Sequence, residues 1–274
     1  MMRYLLIPLA LFANFSVAEP LPRPDHIVIV IEENHALHQI IGNKEAPYIN
    51  ALAQRGLLFT NSHGVTHPSQ PNYIALFSGS THDVTNDDCL AELSGDNLAS
   101  ILLAKGFSFS IFSDHLPQAG FLGCADGAYR RKHNPLSNWK SLAAFNQPFS
   151  AFSQDFTKLP TVALVVPDLF NDMHDGTITQ ADTWLSKNIE QYAQWALTHN
   201  SLLIVTWDED NGTTDNNIAT IFVGSVVKPG QSAQQINHYS LLHTFSDMYG
   251  LPYLGYSVDQ KSISGIWNTP EPSH

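Results

Sequence analysis

Positive charge is scarce in this 274-residue chain: 13 lysines and arginines face 25 aspartates and glutamates, a formal net charge of −12. So few cations exclude a surface built to neutralise nucleic-acid phosphates. They also leave no polybasic segment for an anionic membrane. Cysteine is rarer still, with Cys89 and Cys124 the only two. Two cysteines do not build a metal cage alone. In an oxidising compartment they are expected to form a disulfide, worth about 4 kcal/mol by chain-entropy accounting; two buried thiols are the alternative. Long apolar runs are missing too, since none reaches the roughly 18 residues of a spanning helix. The stretch Leu5 to Phe15, behind Arg3 and ahead of Ser16-Val17-Ala18, is instead a secretory signal peptide by pattern. The expectation is a leader over residues 1–18 and one mature domain over 19–274, secreted or periplasmic. Stable membrane insertion and a nucleic-acid partner are not expected.

What the chain does contain is 43% hydrophobic residues in short β-branched runs separated by helical patterns. "HIVIVIEEN", "FSFSIFS", "TVALVVP", "SLLIVTW" and "NIATIFVG" are strands by composition. "APYINALAQRG", "NYIALFSG", Ser94 to Lys105, Thr177 to Asn200 and "YSLLHTFSDMYG" have helical patterns, several closed by glycine. In the longest, Ala181, Leu185, Ile189, Tyr192 and Ala196 keep one apolar face, and Thr177 with Gln180 forms a capping box by pattern. Asp114 to Ser153 shows no period and is expected to be irregular. Strands alternating with helices predict an α/β fold, a three-layer α/β/α sandwich around a mostly parallel sheet.

In such sheets ligands sit beyond the carboxyl ends of the strands. There the chain carries Glu32-Glu33-Asn34, then Asp168 with Asn171, Asp172 and His174, then Asp208-Glu209-Asp210, and Asn237-His238 before the last helix. Each cluster alone is an ordinary polar turn; their recurrence at strand ends is not. The segment "GVTHPSQPNYIALFSG" adds Ser69, held between two prolines at the mouth of a helix, as a candidate nucleophile. Carboxylate and amide oxygens suit Mg²⁺, Ca²⁺ or Mn²⁺ and disfavour zinc. Such a cation lowers the pKa of a hydroxyl and neutralises phosphoryl oxygens, and nearby histidines bind phosphate or protonate the leaving alcohol.

Five blocks carry a resemblance: "EENHALHQIIGNKEAPYINALAQRG", "HPSQPNYIALFSG", "VPDLFNDMHDG", "VTWDEDNG" and "NHYSLLHTFSDMYGL". Together, from about His26 to Leu251, they resemble the bacterial phosphoesterase family of secreted acid phosphatases and phospholipases C, within the alkaline phosphatase superfamily. The resemblance is strongest to its short secreted acid phosphatases. It implies an alkaline-phosphatase-like fold and a phosphatase acting on phosphate monoesters through a phosphoserine, phosphoinositide or other phospholipid head groups among the candidate substrates. It assigns Glu33, Asn34, Asp208 and Glu209 to one divalent cation, Ser69 to the nucleophile, and His174 and His238 to catalysis. His67, Asn72, Asn171 and Asp172 are implied at the substrate, and more weakly His115. Asp208-Glu209-Asp210 departs from the Asp-His-Gly of two-zinc relatives, which favours a single hard cation.

A phospholipase C-type phosphodiesterase with the same nucleophile and metal is the main alternative; the short chain favours monoesters. A sulfatase lacks its arginine after Ser-x-Pro, and a serine esterase its G-x-S-x-G elbow. A non-catalytic phospholipid holder is disfavoured by the intact candidate set.

Overall fold

The computed structural model describes residues 21–268, so the expected leader lies outside the described part. The chain runs β1 (His26–Glu32), α1 (Leu37–Ile40), α2 (Pro47–Arg55), β2 (Leu57–His63), α3 (Ser69–Ser78), α4 (Leu98–Ala104) and β3 (Phe109–Ser113). The small hairpin β4 (Ala125–Asp126) and β5 (Tyr129–Arg130), a series of 3₁₀ turns and β6 (Asn146–Pro148) follow. Then come β7 (Val162–Val166), α5 (Ile178–Ala196), β8 (Ser201–Trp207), β9 (Asn217–Val223), β10 (Gly230–Ser232), β11 (Ile236–Asn237) and α6 (His238–Tyr249).

Nine strands form one sheet in the order β10-β2-β9-β8-β1-β7-β3-β6, with β11 extending β2. β1 lies at its centre, parallel to β7 and β8, and β9 alone runs antiparallel, against β2 and β8. The sandwich follows from the strands' period of two. Ile27, Ile29 and Ile31 enter one apolar cluster with α3, α4 and α6, while Val28 and Val30 enter another with α2 and α5. Both faces of the sheet are therefore covered, as parallel sheets require.

Most expected elements are present with shifted ends. Thr177 caps α5, its hydroxyl accepting from Gln180 N at 3.2 Å. The segment expected to be irregular holds only β4, β5, β6 and 3₁₀ turns. Cys89 and Cys124 are bonded, with Cα atoms 5.6 Å apart. The short strands β10 and β11 and one long strand were not expected: "LLFTNSH" forms β2, and its polar second half hides the apolar start. Its partners explain the tolerance, because β10 and β11 are short and leave a gap at Thr60 and Asn61, whose side chains bond the Ser232 and Ala233 carbonyls. Gly79 ends α3 at φ 75°, and a Cβ there would stand 2.0 Å from the Leu254 carbonyl oxygen. Glycine is therefore required by both conformation and space. Among the described residues no helix is long and apolar enough to cross a membrane.

The start of α2 is capped from a distance. Ala46 offers no capping side chain, and Asp182 of α5 accepts instead from the amides of Tyr48 at 3.2 Å and Ile49 at 2.8 Å. Asp182→Ala is expected to cost about 1–2 kcal/mol, the usual loss on removing a helix cap. Thermal unfolding of this variant beside Asp182→Asn, which keeps one acceptor oxygen, checks the assignment.

Candidate active site

The parity that builds the sheet also aims the site. Glu32 continues the Val28–Val30 face, is fully buried, and feels the charge of Asp182. Glu33, one residue on, turns to the α3 face. There its Oε2 accepts from Ser69 Oγ at 2.8 Å and its Oε1 from the Tyr73 hydroxyl at 2.8 Å. Ser69 opens α3, a helix whose ten residues are all buried. Its Oγ also lies 3.3 Å from Glu209 Oε1. The Asn34 amide, at φ 54°, donates to Asp208 Oδ1 at 3.3 Å. Glu33, Ser69, Asp208 and Glu209 thus meet at the carboxyl ends of β1 and β8.

The loop carrying the serine is tied by one amide. Asn72 Oδ1 accepts from Val65 N and Thr66 N at 2.8 and 3.0 Å, and its Nδ2 donates to the Thr66 and Pro68 carbonyls at 2.8 and 3.1 Å. Expected at the phosphoryl oxygens, Asn72 is instead buried with its bonding capacity spent on the loop. His67, in the same loop, lies against Glu209 through Nδ1 and against the Thr213 carbonyl through Nε2, at 3.0 Å. Burial pulls its pKa down, yet the Thr213 carbonyl and Glu209 together hold it above the ordinary value.

His238 is tied to the backbone through one ring nitrogen, and its Nδ1 is buried without a partner among the described residues. It is buried, its Nε2 meets the Asp208 carbonyl at 2.6 Å, and burial lowers its pKa to about 4. This neutral ring braces the Asp208 backbone. His174 lies nearer the opening, with Nδ1 2.7 Å from Asp175 Oδ1 and Nε2 2.9 Å from Lys132 Nζ. Asp172 is buried, receiving the His174 amide at 2.8 Å and facing His133 Nδ1 at 3.0 Å.

Asn171 and His115 belong to a different group. Asn171 donates to Asp114 Oδ2 at 3.0 Å, and exposed His115 meets Asp168 Oδ2 at 2.5 Å. Neither touches the serine cluster. Sequence reasoning missed Tyr73, Asp87, Lys132 and His133. The last two sit in "RRKHNP", where three basic residues run together in a chain short of them. That run was the available signal.

Burial dominates the electrostatics. Glu33 is raised well above the usual carboxylate range by burial, then by Asp208 and Asp172, against the opposing hydrogen bonds of Tyr73 and Ser69. Asp208 is raised by burial and Glu209, and Glu209 by burial. Asp172 is pushed up to about 8, chiefly by burial. His133 is held well below its ordinary value by burial, then by Lys132 and His174. These groups fit a divalent cation. Asp208 Oδ2 is buried without a hydrogen-bond partner among the described residues. His133 Nε2 is also unpartnered, because Glu33 Oε1 at 3.1 Å is out of line for a hydrogen bond. One donor atom each from Glu33, His133 and His174 lies within 4.8 Å of the others.

The sequence profile of the phosphoesterase family matches residues 43–252. Phosphatidylinositol-3-phosphatase of Mycobacterium tuberculosis is 46% identical over 254 residues, covering 91% of this chain and 85% of that protein. An acid phosphatase of Aspergillus fumigatus is 32% identical over 226 residues, covering 74% of this chain and 51% of that protein, so the chain spans about half the fungal relative. Among solved structures, a protein of the alkaline phosphatase superfamily from Vibrio parahaemolyticus aligns with a TM-score of 0.60 at 12% identity, covering 92% of this chain and 75% of that one. The lipoteichoic acid synthase LtaP from Listeria monocytogenes aligns equally well, at 0.60 and 10% identity, covering 87% and 74%. At these identities the structures share the fold.

The carboxylate cluster makes stability depend on pH in a set direction. A carboxyl whose folded pKa is raised contributes fully below its unfolded value and loses that contribution as pH climbs through the folded one. For Asp172 the window runs from its unfolded value near 4 up to about 8. Chelator-treated protein is therefore expected to melt at progressively lower temperature from pH 5 to pH 8, and added Mg²⁺ or Mn²⁺ should reverse the loss. Scanning calorimetry with and without the ion checks this.

Proposed function

The chain belongs to the phosphoesterase family, and from that footing we propose that it is a secreted, metal-dependent acid phosphatase that hydrolyses phosphate monoesters through a phosphoserine at Ser69. One observation carries the reading. The Ser69 hydroxyl, at the amino end of a buried helix, bonds directly to Glu33 and lies against Glu209. The amino end of a helix favours an arriving phosphate through its dipole, although here the Gln70 amide is taken by Asp87 and Pro71 has none.

Glu33, Asn34, Asp208 and Glu209 would hold one divalent cation, and Asp208 Oδ2 is the unspent oxygen that supports it. When bound, that ion would supply positive charge to the serine oxygen and to the phosphoryl oxygens. The Ser69 oxygen forms a bond to phosphorus as the bond to the leaving alcohol breaks, and the serine proton passes to its carboxylate partner Glu33. His67 meets an acceptor with each ring nitrogen, which suits a doubly protonated ring, and its raised pKa keeps it so in acid; exchanging the Thr213 carbonyl at Nε2 for the leaving oxygen would make it the donor to the leaving alcohol. Water then cleaves the phosphoserine, releasing phosphate. His174 would support the phosphate side through Lys132, His238 braces Asp208, and Asp172 orients His133. The resemblance to a phosphatidylinositol-3-phosphatase supports phosphoinositide head groups as candidate substrates. A signal peptide over residues 1–18, a single domain beyond it, and the Cys89–Cys124 disulfide are consistent with an oxidising, extracytoplasmic setting.

Ser69→Ala is expected to abolish turnover of 4-nitrophenyl phosphate while the far-ultraviolet circular dichroism stays native; near-normal turnover would remove the nucleophile. Asp208→Asn should lose bound metal as well as rate, read by elemental analysis of the purified protein. Wild-type rate should fall as pH rises past the elevated pKa of His67, above the ordinary value of about 6.5. His67→Gln should flatten that limb of the profile. An unchanged limb in the variant would assign the proton to another group.

A further inference from the structure

Lys132 brings an amine side chain into a site crowded with acids. It lies in the 3₁₀ turn Arg131–His133. Its Nζ is 2.8 Å from Asp87 Oδ2 and 2.9 Å from His174 Nε2. An ammonium only donates, so His174 Nε2 accepts and the ring proton sits on Nδ1, facing Asp175. Three donors with two engaged leave one free, on a side chain only 16% exposed. The other oxygen of Asp87 accepts at 2.9 Å from the backbone amide of Gln70, the residue after Ser69. One carboxylate therefore joins the lysine to the turn that presents the nucleophile.

The frame around this pair is cross-linked. Cys89, two residues beyond Asp87, is bonded to Cys124. The Cys124 carbonyl accepts from Arg131 N at 3.0 Å, next to Lys132. Gln70 Nε2 adds bonds to the Asn86 and Asp88 carbonyls at 3.0 and 2.9 Å. Lysine charge reaches the site as well, since it lowers the Asp172 pKa and opposes protonation of His133. The donor set of Glu33, His133 and His174 resembles a second metal position, but both His174 nitrogens are already engaged, Nε2 by Lys132 and Nδ1 by Asp175.

We propose that Lys132 is a further catalytic residue, whose free N–H binds a non-bridging phosphoryl oxygen and supplies there the charge of a second cation, with Asp87 as its positioning residue. This rests on the reading of Ser69 as nucleophile. Phosphoryl transfer gathers charge on the non-bridging oxygens, and a fixed donor in a water-poor site stabilises it more than solvent does.

The test uses 4-nitrophenyl phosphate turnover, orthovanadate inhibition and metal content on the full chain. Lys132→Gln is expected to lower kcat/KM by about 100-fold, the loss usual for one transition-state donor, and to weaken orthovanadate inhibition about tenfold or more. One divalent ion per chain should remain, with an unchanged melting temperature. Lys132→Arg, which keeps the charge, should recover part of the rate, and Asp87→Asn should fall between wild type and Lys132→Gln. Lys132→Gln within threefold of wild type, unaltered orthovanadate inhibition, or two tightly bound ions per wild-type chain would each overturn the proposal. Should Lys132→Gln not fold, Lys132→Arg decides, and a loss there of 100-fold or more in a folded protein counts against the role. If Ser69→Ala is inactive while Lys132→Gln is normal, only the lysine role fails; an active Ser69→Ala removes the site reading itself.

Discussion

The burial of like charge around one hydroxyl is the constraint from which the rest of the site follows. Glu33, Asp172, Asp208 and Glu209 are all withdrawn from water at the ends of two adjacent strands and the loop beside them. Ionising such a group unaided costs several kcal/mol, and close carboxylates add to the cost. The surroundings offset this piecemeal, through the Tyr73 and Ser69 hydroxyls on Glu33, the His133 ring on Asp172, and His67 on Glu209. None of these supplies two positive charges. The unpartnered Asp208 oxygen marks where the compensation is incomplete, and a divalent ion is the natural complement.

The layered fold was legible because it rests on periodicities that a single sequence displays. The alternation of Ile27, Ile29 and Ile31 with Val28 and Val30 writes two buried faces into five residues, and the α5 stripe writes a third surface. β2 was hidden because its outer half is polar and its neighbours short. The irregular stretch after Asp114 concealed the most informative residues, His133 and Lys132. They are placed by 3₁₀ turns and a disulfide rather than by any repeat, so no period points to them.

The candidate site was legible as chemistry and only partly as geometry. Residue type and strand-end position indicated Glu33, Ser69, Asp208 and Glu209, and the fold brings these together. Side-chain direction was a different matter. Nothing in "IEEN" says which glutamate faces the serine; the pleat decides, and it decides for Glu33. Asn72 is near the cluster yet spends its hydrogen bonds on backbone carbonyls and amides, whereas His238 spends Nε2 on the Asp208 carbonyl and keeps Nδ1 without a partner among the described residues. Asn171 and His115 pair with Asp114 and Asp168 across a separate patch. Proximity in a motif thus located the neighbourhood, while local hydrogen-bond saturation sorted contact residues from supporting ones.

The contacts of the serine loop span great lengths of chain. Ser69 reaches Glu33 across 36 positions and Glu209 across 140, and His67 reaches Glu209 across 142. No contiguous stretch of the polypeptide therefore carries a working centre, and both flanks of β1 must be assembled before any turnover begins. Two inactive halves divided between α4 and α5 would regain activity only by rebuilding the entire sheet. That makes the protein a natural split reporter, its colourless-to-coloured signal conditional on reunion of the pieces.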